Sequence, residues 1–292
     1  MQVIVHGGAG GAPDDPEPRQ AVVDEAASTG ATEETPLDAV EAAVNVLEAS
    51  PRFNAGTGSA VQSDGTLRTD AGVMTQDRRV GAVCSVEGLE HAVSAARIVL
   101  EETPHILVSG EHAARIAEEY GIETGVDLHS ERTRERWADL DPPAGGVRAH
   151  LDWVDEQFGS RPDEDDETDH DTVGAVAREG DRIAAATSTG GRWMALAGRV
   201  GDVPQVGCGF YCAPAGGVST TGAGEDIARV TLARRVVGHL EAGLSAQEAA
   251  DRGMAEFGEL TGSSAGLIVL DSNGNAGKAY NSDAMQTAVA VE

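Results

Sequence analysis

The sequence predicts a layered α/β fold in which most strands pair antiparallel. Three observations lead there. The chain enters a strand at Val3 to Val5, its second half carries hairpin patterns over 172–187 and 266–280, and the helical patterns group between strands. A regular strand–helix–strand rhythm, which would signal a parallel sheet, is not what the pattern shows.

Each element follows from local chemistry. Val3, Ile4 and Val5 form a short apolar strand, and the glycine-rich run His6 to Gly11 behind it reads as a tight turn. That run lacks the Lys-Ser/Thr of a P-loop and the spacing of a dinucleotide fingerprint. Thr35 and Pro36 supply an N-cap and a proline at the first helical position. Ala39, Val40, Ala43, Val44 and Leu47 then recur at helical spacing up to Pro51. A strand is expected over 80–86 and helices over 93–102, 111–120, 131–140 and 148–158, with Gly121 suited to a left-handed helix end. Residues 159–171 contain no apolar side chain, and seven of the thirteen are Asp or Glu. Such a stretch cannot bury enough surface to fold and reads by default as a loop linking two domains. A hairpin follows, with strands over 172–177 and 183–187 about the turn Glu179-Gly180-Asp181. One helix is expected over 225–242, ended by Gly243, and Ser245 with Glu248 forms a capping box for the next. Strands over 266–270 and 276–280 close the pattern about the turn 271–275. Residues 262–266 spell G-x-S-x-G, but a helix precedes and a strand follows, the reverse of a nucleophile elbow.

Composition narrows the partners. With 292 residues, 40% of them hydrophobic, the chain can bury a substantial core. Acidic residues outnumber basic ones 49 to 21, a formal charge of -28, and Lys278 is the only lysine. Nucleic acid and anionic membranes, which need clustered cations, are excluded as partners. The acids are spread along the whole chain, as expected of a halophilic surface, since ~3 Å of Debye length at 1 M salt screens the self-repulsion; an acidic interaction module is the other reading. No apolar run approaches the ~20 residues of a membrane span, and Met1 to Val5 carries no basic leader, so a cytoplasmic protein is expected. Cys84, Cys208 and Cys212 form no C-x-x-C pair and no zinc set, and read as buried free thiols. None of the eight histidines shows the H-E-x-x-H spacing.

The acidic segment ends abruptly at Thr172, which opens a strand. Were the bond between Asp171 and Thr172 cut, one residue would carry both a hydroxyl nucleophile and a free α-amine. With a reference pKa of ~7.7–8.0, that amine can act as general base near neutrality. The plainer alternative is a β-branched residue that merely starts a strand after a linker.

Four ordered stretches bear on this choice: 170–176 (HDTVGAV), 186–191 (ATSTGG), 198–204 (GRVGDVP) and 221–225 (TGAGE). Together with 6–10 (HGGAG), 53–56 (FNAG), 93–97 (VSAAR) and 103–105 (TPH), they resemble the plant-type asparaginase and isoaspartyl peptidase family of N-terminal-nucleophile hydrolases, relatives of glycosylasparaginase. The likeness spans nearly the whole chain. It implies a four-layer αββα sandwich and a single domain, cut into an α part (1–171) and a β part (172–292) that stay intertwined. It implies Thr172 as nucleophile and Thr189 as the residue orienting its hydroxyl. Arg199 is then the partner of the substrate α-carboxylate, for which a guanidinium fork is suited, and Asp202 the partner of its α-ammonium. Thr221 and the Gly222 N–H become the oxyanion hole, while Gly224 and Asn54 contact the substrate. The same resemblance implies no required cofactor, a structural sodium on the backbone of Leu47, Glu48 and Phe53, and a homodimer of αβ units. The expected reaction is hydrolysis of L-asparagine to L-aspartate and ammonia, with β-aspartyl peptides as further substrates.

Some positions depart from the plant-type pattern. Asp171 stands where glycine is usual, and His-Asp-Thr is the glycosylasparaginase arrangement, whereas His6-Gly7-Gly8 is asparaginase-like. Ala223 replaces a usual histidine, and residues 69–71 (TDA) replace the usual L-D-A. A hydrolase of N-linked sugar–asparagine and a non-cleaving binding protein of the same fold are the competing expectations.

Overall fold

In a computed structural model, the structure describes residues 1–13, 15–158 and 172–292. The acidic segment 159–171, including Asp171, lies outside the described residues. The elements run β1 (Gln2–Gly10), α1 (Pro16–Ala31), α2 (Pro36–Glu48), β2 (Arg68–Thr75), β3 (Val80–Glu87), α3 (Ala92–Glu102), β4 (Val108–Ser109), α4 (Gly110–Glu119), α5 (Glu131–Ala138) and α6 (Val147–Phe158). After the acidic segment come β5 (Val173–Glu179), β6 (Arg182–Thr189), β7 (Phe210–Ala213), β8 (Gly216–Gly222), α7 (Gly224–Val230), α8 (Leu232–Glu241), α9 (Ala246–Thr261), β9 (Ala265–Asp271), β10 (Ala276–Tyr280) and β11 (Ala284–Val291).

The strands form two sheets, one ordered β11-β1-β5-β6-β2-β3-β4 and the other β10-β9-β8-β7. All pairs of named strands are antiparallel except β3 with β4. Strand parity sends side chains to opposite faces. Val3 and Val5 of β1, and Ala175 and Ala177 of β5, point to a core shared with α1, α2 and α3. Ile4 and Val176, one position out of phase, meet Phe210, Ile268 and Leu270 between the sheets. Leu267 and Val269 of β9 turn the other way, onto α8 and α9. Buried on both faces, these strands read as unbroken apolar runs rather than alternating ones. The result is the expected αββα layering.

The sheet is also interleaved in sequence. Strand β1, from the N-terminal part, lies between β11 and β5, and β2 lies against β6. The Met1 ammonium anchors this seam, 2.6 Å from the Glu292 carbonyl oxygen and 2.7 Å from Glu179 Oε2.

Two sequence expectations are corrected. The run from His6 is not a turn: β1 continues to Gly10, and its register against β11 shifts between His6 and Ala9, a bulge that absorbs the glycines. The single helix expected over 225–242 is broken at Thr231, whose φ of 52° interrupts helical geometry between α7 and α8. The caps hold as expected. Thr35 accepts from the Asp38 N–H, Ser245 and Glu248 form the reciprocal capping box, and the helix ends at Gly121 with φ 84°. The three cysteines are buried and free. No helix among the described residues is long and apolar enough to cross a membrane.

Candidate active site

The hairpin β5–β6 pairs Val173 with Ser188, so Thr172 lies opposite Thr189 one step further along the ladder. Val173 packs on the helix side, which turns Thr172 toward the space between the sheets. Its Oγ1 donates to Thr189 Oγ1 at 3.2 Å, and its backbone nitrogen donates to Thr221 Oγ1 at 3.3 Å. Thr189 Oγ1 also accepts from the Gly191 N–H at 3.1 Å. Three hydroxyls, delivered by the ends of β5, β6 and β8, thus meet in a buried spot.

Strand β8 brings Thr221 there because it runs antiparallel to β9, with Thr221 opposite Gly266 and Gly222 opposite Ala265. Thr221 Oγ1 accepts from the Ala9 N–H at 3.3 Å, tying β1 to the site. Gly222 has φ 130°, and a Cβ there would lie 2.6 Å from the Ser264 carbonyl oxygen, so only glycine fits. Beneath Thr172 runs a buried polar chain. His6 Nε2 is 2.8 Å from Ser219 Oγ, which is 2.6 Å from Thr187 Oγ1, and Thr187 donates to the Gly209 carbonyl at 3.0 Å. Burial drives the His6 pKa down to about 3 against the opposing pull of the Thr172 backbone, so the ring is neutral.

Arg199, Asp202 and Gly224 line one small cleft with Thr172, Thr189 and Gly222. A Cβ on Gly224 would sit 2.8 Å from Asp202 Oδ1 and 2.9 Å from an Arg199 terminal nitrogen, so that glycine opens the gap between the two charges. Burial pushes the Asp202 carboxyl up to about 7, with the Arg199 charge pulling the other way. Asp70, opposite Thr189 in β2, is likewise pushed up to about 7 by burial, resisted by the Ser85 N–H and by Arg199. Asn54 is not among the residues lining this cleft; it lines a neighbouring hollow and reaches the cleft through Gly191, its Nδ2 donating to the Gly191 carbonyl at 2.6 Å and its Oδ1 accepting from the Ala60 N–H at 2.8 Å.

Sequence reasoning gave no role to the acid that closes the TGAGE motif. Glu225, the last letter of TGAGE, holds Arg199 by two parallel bonds, Nε to Oε1 at 2.7 Å and a terminal nitrogen to Oε2 at 2.6 Å. Burial alone would raise the Glu225 carboxyl, but the hydrogen bonds and charge of Arg199 outweigh it and hold it at about 2. The signal available in the sequence was the need of a buried arginine for a counter-charge.

The last turn of α2, with Leu47 and Glu48, and the loop behind it, with Phe53, hold the carbonyls that the resemblance assigned to a sodium. Those of Leu47 and Glu48 accept from the Ser50 and Thr57 N–H groups, and the Glu48 and Phe53 carbonyls crowd the space that Cβ atoms on Gly56 and Gly58 would fill. Among the described residues no group of three or more His, Cys, Asp or Glu could hold a metal ion.

Along its whole length the chain is similar to known proteins. A family model described as asparaginase matches residues 1–292. A plant-type L-asparaginase of Pyrococcus furiosus is 38% identical over 302 residues, covering 100% of this chain and 97% of its own. A plant-type L-asparaginase of Thermococcus kodakarensis is 36% identical, over 98% of this chain and 95% of its own. An isoaspartyl peptidase/L-asparaginase of Danio rerio is 38% identical, over 99% of this chain and 92% of its own. With the match spanning every residue and relatives aligned end to end, the chain belongs to the asparaginase family.

Proposed function

We propose that the protein is a self-processing threonine amidohydrolase that converts L-asparagine to L-aspartate and ammonia and also cleaves β-aspartyl peptides. The observation that carries this reading is the double tether of Thr172, its hydroxyl on Thr189 and its backbone nitrogen on Thr221. Relatives bearing both activities in their names support the substrate class.

Hydrolysis of the bond between Asp171 and Thr172 consumes one water and leaves a carboxylate on Asp171 and an α-amine on Thr172. The amine then takes the proton of Thr172 Oγ1 as that oxygen attacks the side-chain carbonyl of asparagine. The Thr221 hydroxyl and the Gly222 N–H face the developing oxyanion, a contribution of about 3–4 kcal/mol per donor. Ammonia departs with the amine's proton, and water cleaves the β-aspartyl ester to release aspartate. Arg199 takes the α-carboxylate, Asp202 the α-ammonium, and Gly224 and Asn54 shape the gap between them and the scissile carbonyl. No step needs a cofactor. Backbone carbonyls of Leu47, Glu48 and Phe53 are the hard oxygen donors a sodium ion takes; its place in this reading is structural. Two αβ units form the homodimer, which light scattering would measure.

Thr172→Ala is the test. The variant should remain one chain of full intact mass without turnover, while the unaltered protein yields two. Two chains from the variant, or an active protein still joined at 171–172, would overturn the scheme. Turnover of N-linked sugar–asparagine in preference to asparagine would move the assignment to the glycosylasparaginase arrangement of His170, Asp171 and Thr172.

A further inference from the structure

A second cleft, roomier than the one at Thr172, is present in the described structure. It lies beside it, walled by Gly10 at the end of β1, by Arg19, Arg52 and Arg132, and by the acids Asp15 and Glu131. Two contacts join the clefts. Ala9, flanked by the wall residues Gly8 and Gly10, donates its N–H to Thr221 Oγ1, which also receives the Thr172 nitrogen. Arg132 lines both this cleft and a small hollow that it shares with Asn54, the residue bonded to the Gly191 carbonyl beside Thr189. The large cleft therefore adjoins the Thr172 cleft on its Asn54 side.

Its charge is out of character for the molecule. In a chain of 49 acids and 21 bases, arginines are mostly neutralised: Arg68 by Asp64 and Glu87, Arg97 by Asp38 and Glu41, Arg199 by Glu225. The guanidinium groups of Arg52 and Arg132 are exposed on the cleft wall and have no ion pair or hydrogen bond among the described residues. Two unengaged forks facing one cavity suit a carboxylate, which a guanidinium holds bidentately. Ammonia, the leaving group from asparagine, has no carboxylate to offer, but the amino acid released from a β-aspartyl dipeptide does.

We propose that this cleft is the leaving-group subsite, where Arg132 and Arg52 bind the free α-carboxylate of the residue displaced from a β-aspartyl dipeptide. The inference rests on the amidohydrolase reading above and deepens it. Arg199 grips the carboxylate on the acyl side, and Arg132 with Arg52 the one on the departing side, so the dipeptide is held at both ends across Thr172. Selectivity for a peptide with a free C-terminus over one with a blocked end follows from the second grip.

Steady-state kinetics on the processed protein test this, with L-asparagine, β-aspartyl-alanine and the C-terminal amide of that dipeptide as substrates. The unaltered protein should prefer the free dipeptide to its amide. Arg132→Gln and the double variant with Arg52→Gln should raise KM for the free dipeptide about tenfold or more, erase the preference over the amide, and leave kcat and KM for asparagine unchanged. Equal kinetics for dipeptide and amide in the unaltered protein would overturn the proposal, as would variants that keep the preference. An enzyme that turns over asparagine but neither dipeptide would remove the subsite while leaving the amidohydrolase intact. An unaltered protein inert on all three would instead remove the reading beneath it.

Discussion

Replacing Glu225 by glutamine separates positioning from chemistry. The carboxylate holds Arg199 by bonds of 2.7 and 2.6 Å; the amide keeps one acceptor and turns the other into a donor facing a guanidinium N–H. Hydrogen bonds involving a charged partner contribute about 1.5–3 kcal/mol. The Glu225 side chain is 41% exposed, against 16% for Arg199, so solvent screening trims the lost bond to about 1–2 kcal/mol. Because Nε and one terminal nitrogen are engaged, the remaining edge of the fork is what Glu225 aims toward Gly224 and the substrate. Loss of that aim should raise KM for asparagine by roughly 5- to 30-fold with kcat within about twofold, since the α-carboxylate is far from the bond that breaks. With Glu225 held at about 2, its charge is constant across the assay range, and the KM ratio of variant to unaltered protein should be flat from pH 5 to 9. Progress curves at saturating and limiting asparagine measure both constants. A fall confined to kcat, or a KM ratio that bends near pH 7, would refute this role for Glu225.

Other expectations follow from the same geometry. Asp202 sits with its carboxyl pushed up to about 7, so the penalty for ionising it is absent below the ordinary carboxylate range and grows as pH rises through 7. Asp202→Asn should accordingly raise Tm more at pH 8 than at pH 5, while raising KM for asparagine; scanning calorimetry and kinetics at the two pH values check each half. Gly174→Ala would place a Cβ 2.0 Å from Ser219 Oγ and 2.7 Å from His6 Nε2, breaking the polar chain beneath Thr172. Denaturant melts should show a loss of about 1–3 kcal/mol or more, and a melt unchanged from the parent would contradict the packing described. The excess of 28 negative charges predicts higher activity in molar salt than in dilute buffer, and a salt series giving the opposite order would rule out a halophilic surface.

The elements legible in the sequence were those whose local chemistry is self-sufficient. Thr35-Pro36 and Ser245 with Glu248 cap α2 and α9 without help from distant residues, and the β5–β6 hairpin turns at Gly180 with φ 63°. The unseen elements depend on partners remote in the chain. Strand β8 spells GGVSTTG, poor in apolar residues, and becomes a strand because β7 and β9 flank it and its hydroxyls find His6, Thr187 and Asp202. Helix α1 buries mainly small residues, Ala26, Ala27, Gly30 and Ala31, which leave little helical stripe yet let it pack closely on α2. Strands β2 and β11 likewise take their definition from neighbours: β2 lies between β3 and β6, and β11 completes the edge beside β1. At the site, motif order brought together Thr172, Thr189, Thr221, Arg199 and Asp202, whereas Glu225 became visible only through its bond to Arg199.

The placement of β1 between β11 and β5 changes the reaction order of folding. A cut before Thr172 creates two polypeptides that share the pairings of β1 with β5 and of β2 with β6, so neither can dissociate while those ladders hold. Once melted, however, the two must find each other by diffusion. The processed protein should therefore show a denaturation midpoint that climbs with protein concentration, whereas Thr172→Ala, still one molecule, should melt at the same point however dilute it is.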